Sequence, residues 1–229
     1  MASVSPNTEF TTSNIADFFN KLGVKYELAF SHIPDQAASI HWLTQELPPN
    51  SKILDIGCGT GRPVISTLAA AGHSVHGIDV APGMIDIAKE QVPNATFEVI
   101  DVRDMPEEPE KWDAVVSYFA LLAAITRDEI RSVLGKIHKN MKPGGLLLFA
   151  TVPADLEDAP FRFLGWDAKI TSMSESGYIE AVENVGFEIL NTTSAMFQPK
   201  AVEAGICGPE DEEAELQFFI YARKKKENQ

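Results

Sequence analysis

A chain of 229 residues, 45% hydrophobic and 23% charged, can bury one substantial core and has the composition of an ordinary globular enzyme. Its formal net charge is −14, with 19 Lys and Arg against 33 Asp and Glu, which disfavours nucleic acid as a partner because phosphates need basic side chains to neutralise them. No run approaches the roughly 20 apolar residues of a membrane span, and Met1-Ala2-Ser3-Val4-Ser5-Pro6 lacks the basic and apolar regions of a secretory signal, so a cytoplasmic address is expected.

Residues 1–13 read as a polar leader. Ile15, Phe18, Phe19, Leu22, Tyr26 and Phe30 recur with helical period and predict one helical face over Ile15–Phe30. Pro34 opens a second helix running to Glu46. From Lys52 the pattern changes to strands alternating with helices. Strands are expected at Lys52–Ile56, Val75–Val80, Thr96–Asp101, Asp113–Ser117 and Leu146–Val152. Helices are expected at Arg62–Ala71, Pro82–Gln91 and Arg127–Met141, with Lys142-Pro143-Gly144-Gly145 as a tight turn. Such alternation implies right-handed crossovers and a mainly parallel sheet covered on both faces. Residues 153–172 show no clean period but carry Phe161, Phe163, Leu164 and Trp166, a candidate substrate wall. A helix at Ser174–Val185 and strands at Phe187–Thr193 and Leu216–Arg223 follow, the last two reading as an antiparallel hairpin at the sheet edge. The acidic stretch Glu210-Asp211-Glu212-Glu213 with Glu215 reads as a solvated loop, Arg223–Lys226 as a solvated tail, and no metal site is expected. Cys58 and Cys207 are expected as free thiols.

The most informative segment is Ile53-Leu54-Asp55-Ile56-Gly57-Cys58-Gly59-Thr60-Gly61-Arg62-Pro63. A strand runs into glycines at alternate positions, where positive φ and close ligand approach are both allowed. The turn falls at the carboxyl end of the first strand, and the N–H groups of the next helix point to the same crevice. Dinucleotide folds use G-x-G-x-x-G, whereas this loop is G-x-G-x-G with an acid, Asp55, two residues ahead of it. An acid there suits a ligand with a cationic amino group better than a pyrophosphate. Asp79, 18 residues after Gly61, is placed to accept from ribose hydroxyls, and Asp101 at the third strand tip to accept from an exocyclic adenine amine.

Over Lys52–Val152 the chain resembles a class I S-adenosylmethionine (SAM)-dependent methyltransferase, of the small-molecule branch similar to ubiquinone/menaquinone biosynthesis enzymes. The resemblance rests on Leu54–Gly61, on Gly77-Ile78-Asp79-Val80-Ala81-Pro82-Gly83-Met84, on Phe97–Pro106, on Trp112–Ser117 and on Met141–Gly145. It implies an α/β, Rossmann-like, seven-stranded, mostly parallel sheet with an antiparallel C-terminal hairpin and an N-terminal helical cap. One domain, 1–229, is expected: cap 1–50, cofactor core 51–152, and substrate-side segment with hairpin 153–229. SAM is the implied cofactor and a small molecule the implied methyl acceptor. Asp55, Gly57, Gly59, Thr60 and Gly61 would hold the methionine part, and Asp79 the ribose. Val80, Met84, Asp101 and Val102 would surround adenine, with Ser117 and Tyr118 near the sulfonium.

The sequence departs from the commonest family pattern in two details. Arg62 and Pro63 follow the loop where many relatives have small or apolar residues. The more important gap is that many relatives carry a histidine after the fourth strand, where Tyr118-Phe119-Ala120-Leu121-Leu122-Ala123-Ala124 has none. Tyr26, His32, His41 and Tyr118 are the remaining candidate catalytic groups. The gap keeps two other readings open, a SAM-binding enzyme that steers a rearrangement or cyclisation and a noncatalytic SAM-binding partner; a nicotinamide dehydrogenase stands further off.

Overall fold

The computed structural model describes residues 11–226. Residues 1–10 of the polar leader and the last three residues of the chain lie outside them. Helix α1 (Thr12–Leu22) begins inside the stretch read as leader. The single helix expected over Ile15–Phe30 is two: Gly23, at φ 49°, ends α1 and starts the short α2 (Val24–Ala29). A left-handed glycine breaks the ladder although the apolar stripe continues through it. Helix α3 (Pro34–Glu46) has the expected bounds.

The remainder alternates as expected: β1 (Lys52–Ile56), α4 (Val64–Ala70), β2 (Ser74–Asp79), α5 (Pro82–Gln91), β3 (Thr96–Val99), β4 (Trp112–Tyr118), α6 (Arg127–Asn140) and β5 (Met141–Thr151). After these come β6 (Ala159–Phe163), β7 (Trp166–Ile170), α7 (Glu175–Asn184), β8 (Phe187–Phe197) and β9 (Glu215–Lys224). Seven strands form one sheet in the order β3-β2-β1-β4-β5-β9-β8, with β9 antiparallel to both neighbours and the other pairings parallel. The seven-stranded sheet with its antiparallel C-terminal hairpin agrees with the expected architecture.

The central strands are largely apolar because both faces are covered. Successive residues alternate between two cores. Ile53, Val116, Leu148 and Phe219 face α3 and α4, whereas Leu54, Val115, Leu147 and Phe218 face α6 and α7. Helix α6 is fixed at its start by a capping box, Thr126 Oγ1 accepting from Glu129 N at 3.2 Å and Thr126 N donating to Glu129 Oε2 at 2.7 Å.

Two local expectations change. Lys142–Gly145 is not a free turn but an irregularity inside β5, where pairing jumps from Trp112↔Met141 to Ala114↔Leu146. The aperiodic stretch 153–172 contains the hairpin β6–β7, closed by Leu164 at φ 50° and Gly165 at φ 82°. Two consecutive positive φ values make the tight turn whose twist matches antiparallel strands. Among the described residues no helix is long and apolar enough to cross a membrane.

Candidate functional site

The glycine loop hangs from β2 by two bonds, the Gly57 and Cys58 amides donating to the Ile78 carbonyl at 2.8 and 3.0 Å. Its three glycines serve different ends. At Gly57 a Cβ would lie 2.3 Å from Ala120 Cβ, so only glycine lets the loop pass under the segment after β4. At Gly59, φ 52°, a Cβ would meet nothing within 4 Å and would project into open space. Gly61 faces away from the cavity: its Cβ would touch Ala88 and Val92 of α5 at 3.4 Å, so its part is packing and not ligand contact.

A two-armed cavity runs along the strand tips. One arm is bordered by Ile56, Asp79, Val80, Met84, Asp101 and Val102. The other is bordered by Asp55, Cys58 and Thr60 with Glu27 and Gln36. Gly57, Gly59, Tyr26, Tyr118 and Phe119 border both. The expected residues thus meet in one crevice, apart from Gly61 and Ser117. Ser117 is sealed inside the sheet, fully buried, and its hydroxyl finds no partner among the described residues. As an inward-facing residue of a central strand it cannot reach the cavity.

The three acids differ sharply. Asp55 is 2% exposed, and its Oδ2 has no hydrogen-bond partner among the described residues. Burial, reinforced by the charge of Asp79, pushes its carboxyl well above the ordinary range. Asp79 accepts from the Gly59 amide through Oδ2 and from the Ala81 amide through Oδ1, both at 2.9 Å. Burial raises its value too, and those amides oppose the rise. Asp101 is committed to Arg103, which donates from Nη2 to Oδ2 at 2.6 Å and from Nε to Oδ1 at 3.0 Å. The Arg103 hydrogen bonds hold Asp101 below the usual carboxylate value. Asp101 borders the cavity, but the bonds to Arg103 reduce its capacity to accept from a ligand. Arg103, absent from the expected site, also reaches Glu129 at 3.2 Å and Thr12 of α1. The Asp-x-Arg spacing after a strand was the available signal.

Tyr26 and Tyr118 stand where the arms join. Ser39 Oγ donates to the Gln36 carbonyl at 2.8 Å, so in the 2.8 Å contact with Tyr118 the phenol is the donor. Burial pushes both phenols up, which leaves neither as a base near neutral pH. Thr60 Oγ1 donates to Glu27 Oε2 at 2.8 Å, which also receives Gln91 Nε2 at 3.0 Å, tying α2 to the loop and to α5. His32 and His41 are exposed beside Pro63 and Thr67 on an outer groove that adjoins one cavity arm through Ile33, Gln36 and Pro63, and neither histidine lines the cavity itself. The helix that carries His41 turns its buried face, Ser39 and Leu43, to the core and leaves that histidine in solvent.

A second, more apolar chamber opens beside the first and shares Ile15, Phe19, Tyr26 and Phe119 with it. Phe161, Phe163 and Trp166 line it, as expected of a substrate wall, together with Glu215. Leu164 instead turns into the core, 7% exposed.

A doubly covered, mostly parallel sheet with a glycine loop and acids at successive strand tips is a Rossmann-like architecture, of the kind whose ligands bind beyond the carboxyl ends of the strands. Residues 53–145 match the methyltransferase-domain family. The chain is 34% identical over 120 residues to an uncharacterized methyltransferase of Synechocystis sp., covering 52% of this chain and 53% of that one. It spans about half the length of the first curated relatives it matches. A SAM-dependent methyltransferase structure from Methanosarcina mazei superposes with a TM-score of 0.69 at 20% identity, over 81% of this chain and 98% of that one. The [4+2]-cyclase SpnF superposes at 0.68 with 18% identity, over 94% and 97%. These structures share the fold. General methyltransferase names do not narrow the family to the ubiquinone/menaquinone branch.

Proposed function

We propose that the chain binds SAM in the two-armed cavity and transfers its methyl group to a small molecule in the adjoining apolar chamber. The observation that carries this reading is Asp55, a buried carboxylate with an unpartnered oxygen beside a glycine loop that leaves space open at Gly59. A lone buried carboxylate is costly, and a cationic amino group is the partner that relieves it. The donor set fits the cofactor.

When bound, the cofactor supplies an electrophilic methyl on a sulfonium. Asp55 holds the amino group, and Gly57 and Gly59 give the ligand close approach to the backbone. Asp79 spends one lone pair of each oxygen on the protein and keeps the others for ribose hydroxyls. Val80, Met84 and Val102 flank the base, and Asp101 sits at its edge. Tyr26 and Phe119 border both the cavity and the chamber, where they exclude water and align the acceptor, while Tyr118 borders the meeting of the cavity's two arms. Residues 1–229 act in this reading as one domain, with 1–50 as cap, 51–152 as cofactor core and 153–229 on the substrate side. The cytoplasm, where Cys58 and Cys207 stay reduced, is the compartment that suits it.

Calorimetry with SAM and S-adenosylhomocysteine tests the reading, followed by product analysis against a panel of acceptors. Binding of both, and S-adenosylhomocysteine accumulating with turnover, is the expected result; no heat with either overturns it. A non-methylating rearrangement is the second reading, favoured by the lack of any histidine lining the cavity or the chamber among the described residues. It predicts acceptor conversion without S-adenosylhomocysteine.

A further inference from the structure

The chamber beside the cofactor cavity has an unusual wall. Five of its side chains form a closed ring of aromatic contacts: Phe18 to Phe19 at 5.3 Å between centroids, Phe19 to Tyr26 at 5.3 Å, Tyr26 to Phe30 at 4.6 Å, Phe30 to Phe163 at 6.4 Å, and Phe163 back to Phe18 at 6.1 Å. Trp166 stacks on Phe18 at 4.1 Å and extends the wall. Helix α1, helix α2, the residue that ends α2 and the β6–β7 hairpin all contribute to this collar.

Two charged side chains border the same space. Lys169 is spent on Asp158 at 2.5 Å. Glu215, the first residue of β9, accepts from Gln217 Nε2 at 2.8 Å through Oε1, and no cationic side chain among the described residues pairs with it. Burial pushes its carboxyl above the ordinary glutamate value. Aromatic faces carry negative electrostatic potential and attract cations, most strongly where water is excluded. An aromatic wall with an uncompensated carboxylate beside it disfavours anions and favours a cationic guest over a neutral one.

We propose that this chamber selects a hydrophobic amine in its cationic form, the aromatic collar and the Glu215 carboxylate receiving the ammonium group together. The proposal rests on the methyl-transfer reading only in naming that amine as the acceptor substrate; the recognition itself stands without it. As acceptor, the ammonium would first give a proton to the Glu215 carboxylate, and the freed nitrogen lone pair would take the methyl as its bond to sulfur breaks.

The test titrates the full chain, with and without saturating S-adenosylhomocysteine, using benzyltrimethylammonium, benzyl alcohol and phenylacetate as cationic, neutral and anionic probes. Calorimetry and Trp166 fluorescence report binding. The cation is expected to bind about tenfold tighter than either other probe. Glu215→Gln should cost the cation about tenfold and leave benzyl alcohol within about twofold. Phe163→Leu, on the hairpin, keeps apolar bulk but loses the π face, and should weaken the cation alone by roughly threefold. S-adenosylhomocysteine affinity within about twofold of wild type certifies that both variants are folded. Absence of cation binding to the wild type, or a cation preference that survives Glu215→Gln, overturns the proposal. So does a Glu215→Gln loss confined to SAM with the amine unaffected, since Glu215 would then serve the cofactor. If S-adenosylhomocysteine fails to bind the wild type, the methyl-transfer reading falls, and the titration without it still decides amine recognition; the melting transitions of the variants then certify their folding.

Discussion

The carboxylates of Asp55 and Asp79 stand on the neighbouring parallel strands β1 and β2, close enough that the charge of one raises the proton affinity of the other. The protein supports them unequally. Asp79 has two amide donors at 2.9 Å, while Asp55 keeps an oxygen with no partner. Asp55 carries the cost of an unpartnered buried oxygen, which under the proposed SAM binding the cationic amino group of the ligand would offset.

Asp55→Asn should therefore separate stability from binding. Burial holds the Asp55 carboxyl above the value near pH 4 of the unfolded chain, so its contribution to stability is present below that pH and lost as pH rises through its elevated native value. Near neutral pH the ligand-free variant should melt roughly 2–4 °C higher, the shift that about 1 kcal/mol produces in a chain of this size. The gain should shrink as pH falls toward 4. Affinity for S-adenosylhomocysteine should drop about tenfold to hundredfold, the worth of a charged hydrogen bond. Melting curves across pH and calorimetry check both halves; a variant that melts lower and binds normally would reverse the assignment.

Asp79→Ala removes the acceptor that the Gly59 and Ala81 amides share. Cofactor affinity should fall by about 1–3 kcal/mol as ribose loses its charged partner. Amide exchange at Gly59 and Ala81 should accelerate in the ligand-free protein. Unchanged affinity in a folded variant would remove Asp79 from the site.

Gly57→Ala and Gly59→Ala should fail in different ways. At Gly57 the new methyl lands 2.3 Å from Ala120 Cβ, so overpacking of about 1–3 kcal/mol adds to left-handed strain and the melting point drops. At Gly59 no protein atom lies within 4 Å, so the ligand-free protein should lose only the strain, about 1–2 kcal/mol. The methyl occupies ligand space there, and S-adenosylhomocysteine binding should be the larger casualty. Paired melting and binding measurements distinguish the two.

How much of this was legible in the sequence depends on whether the determining signal was local. The strand tips were readable because an apolar run such as Ile53–Ile56, stopped by glycines, has one structural solution in a doubly covered sheet. The β6–β7 hairpin was not, because its turn is Leu164-Gly165 and not the Asn-Gly or Asp-Gly pair that marks such turns. Gly23 breaks α1 from α2 without interrupting the apolar period, so periodicity alone joined them. Glu215 was absorbed into an acidic run that looks solvated, although it pairs with Phe197 as the start of β9 and lines the aromatic chamber. Ser117 and Gly61 had the right sequence positions, but strand alternation and packing on α5 turn them elsewhere.

Arg103 is the residue whose role depends most on contacts remote in sequence. It joins Asp101, Glu129 at the start of α6, and Thr12 at the start of α1, so one guanidinium holds the cap helix against the sheet end. Arg103→Ala should lower stability by about 1–2 kcal/mol, since charged hydrogen bonds to a partly exposed group are discounted by solvent. Because Arg103 holds Asp101 below its ordinary value, this stabilisation is present above about pH 4 and is lost as pH falls through the depressed native value. The gap between wild-type and variant melting curves should therefore stay constant near neutral pH and close in acid. Hydrogen exchange over Thr12–Leu22 should accelerate in the variant, because the start of α1 loses its guanidinium anchor and α1 is held by its packing and by the bond from the Gly83 amide to Asn20 Oδ1 at 2.7 Å. A gap that persists unchanged down to the acid unfolding of the wild type, with α1 exchange unaltered, would show that Arg103 contributes through packing alone.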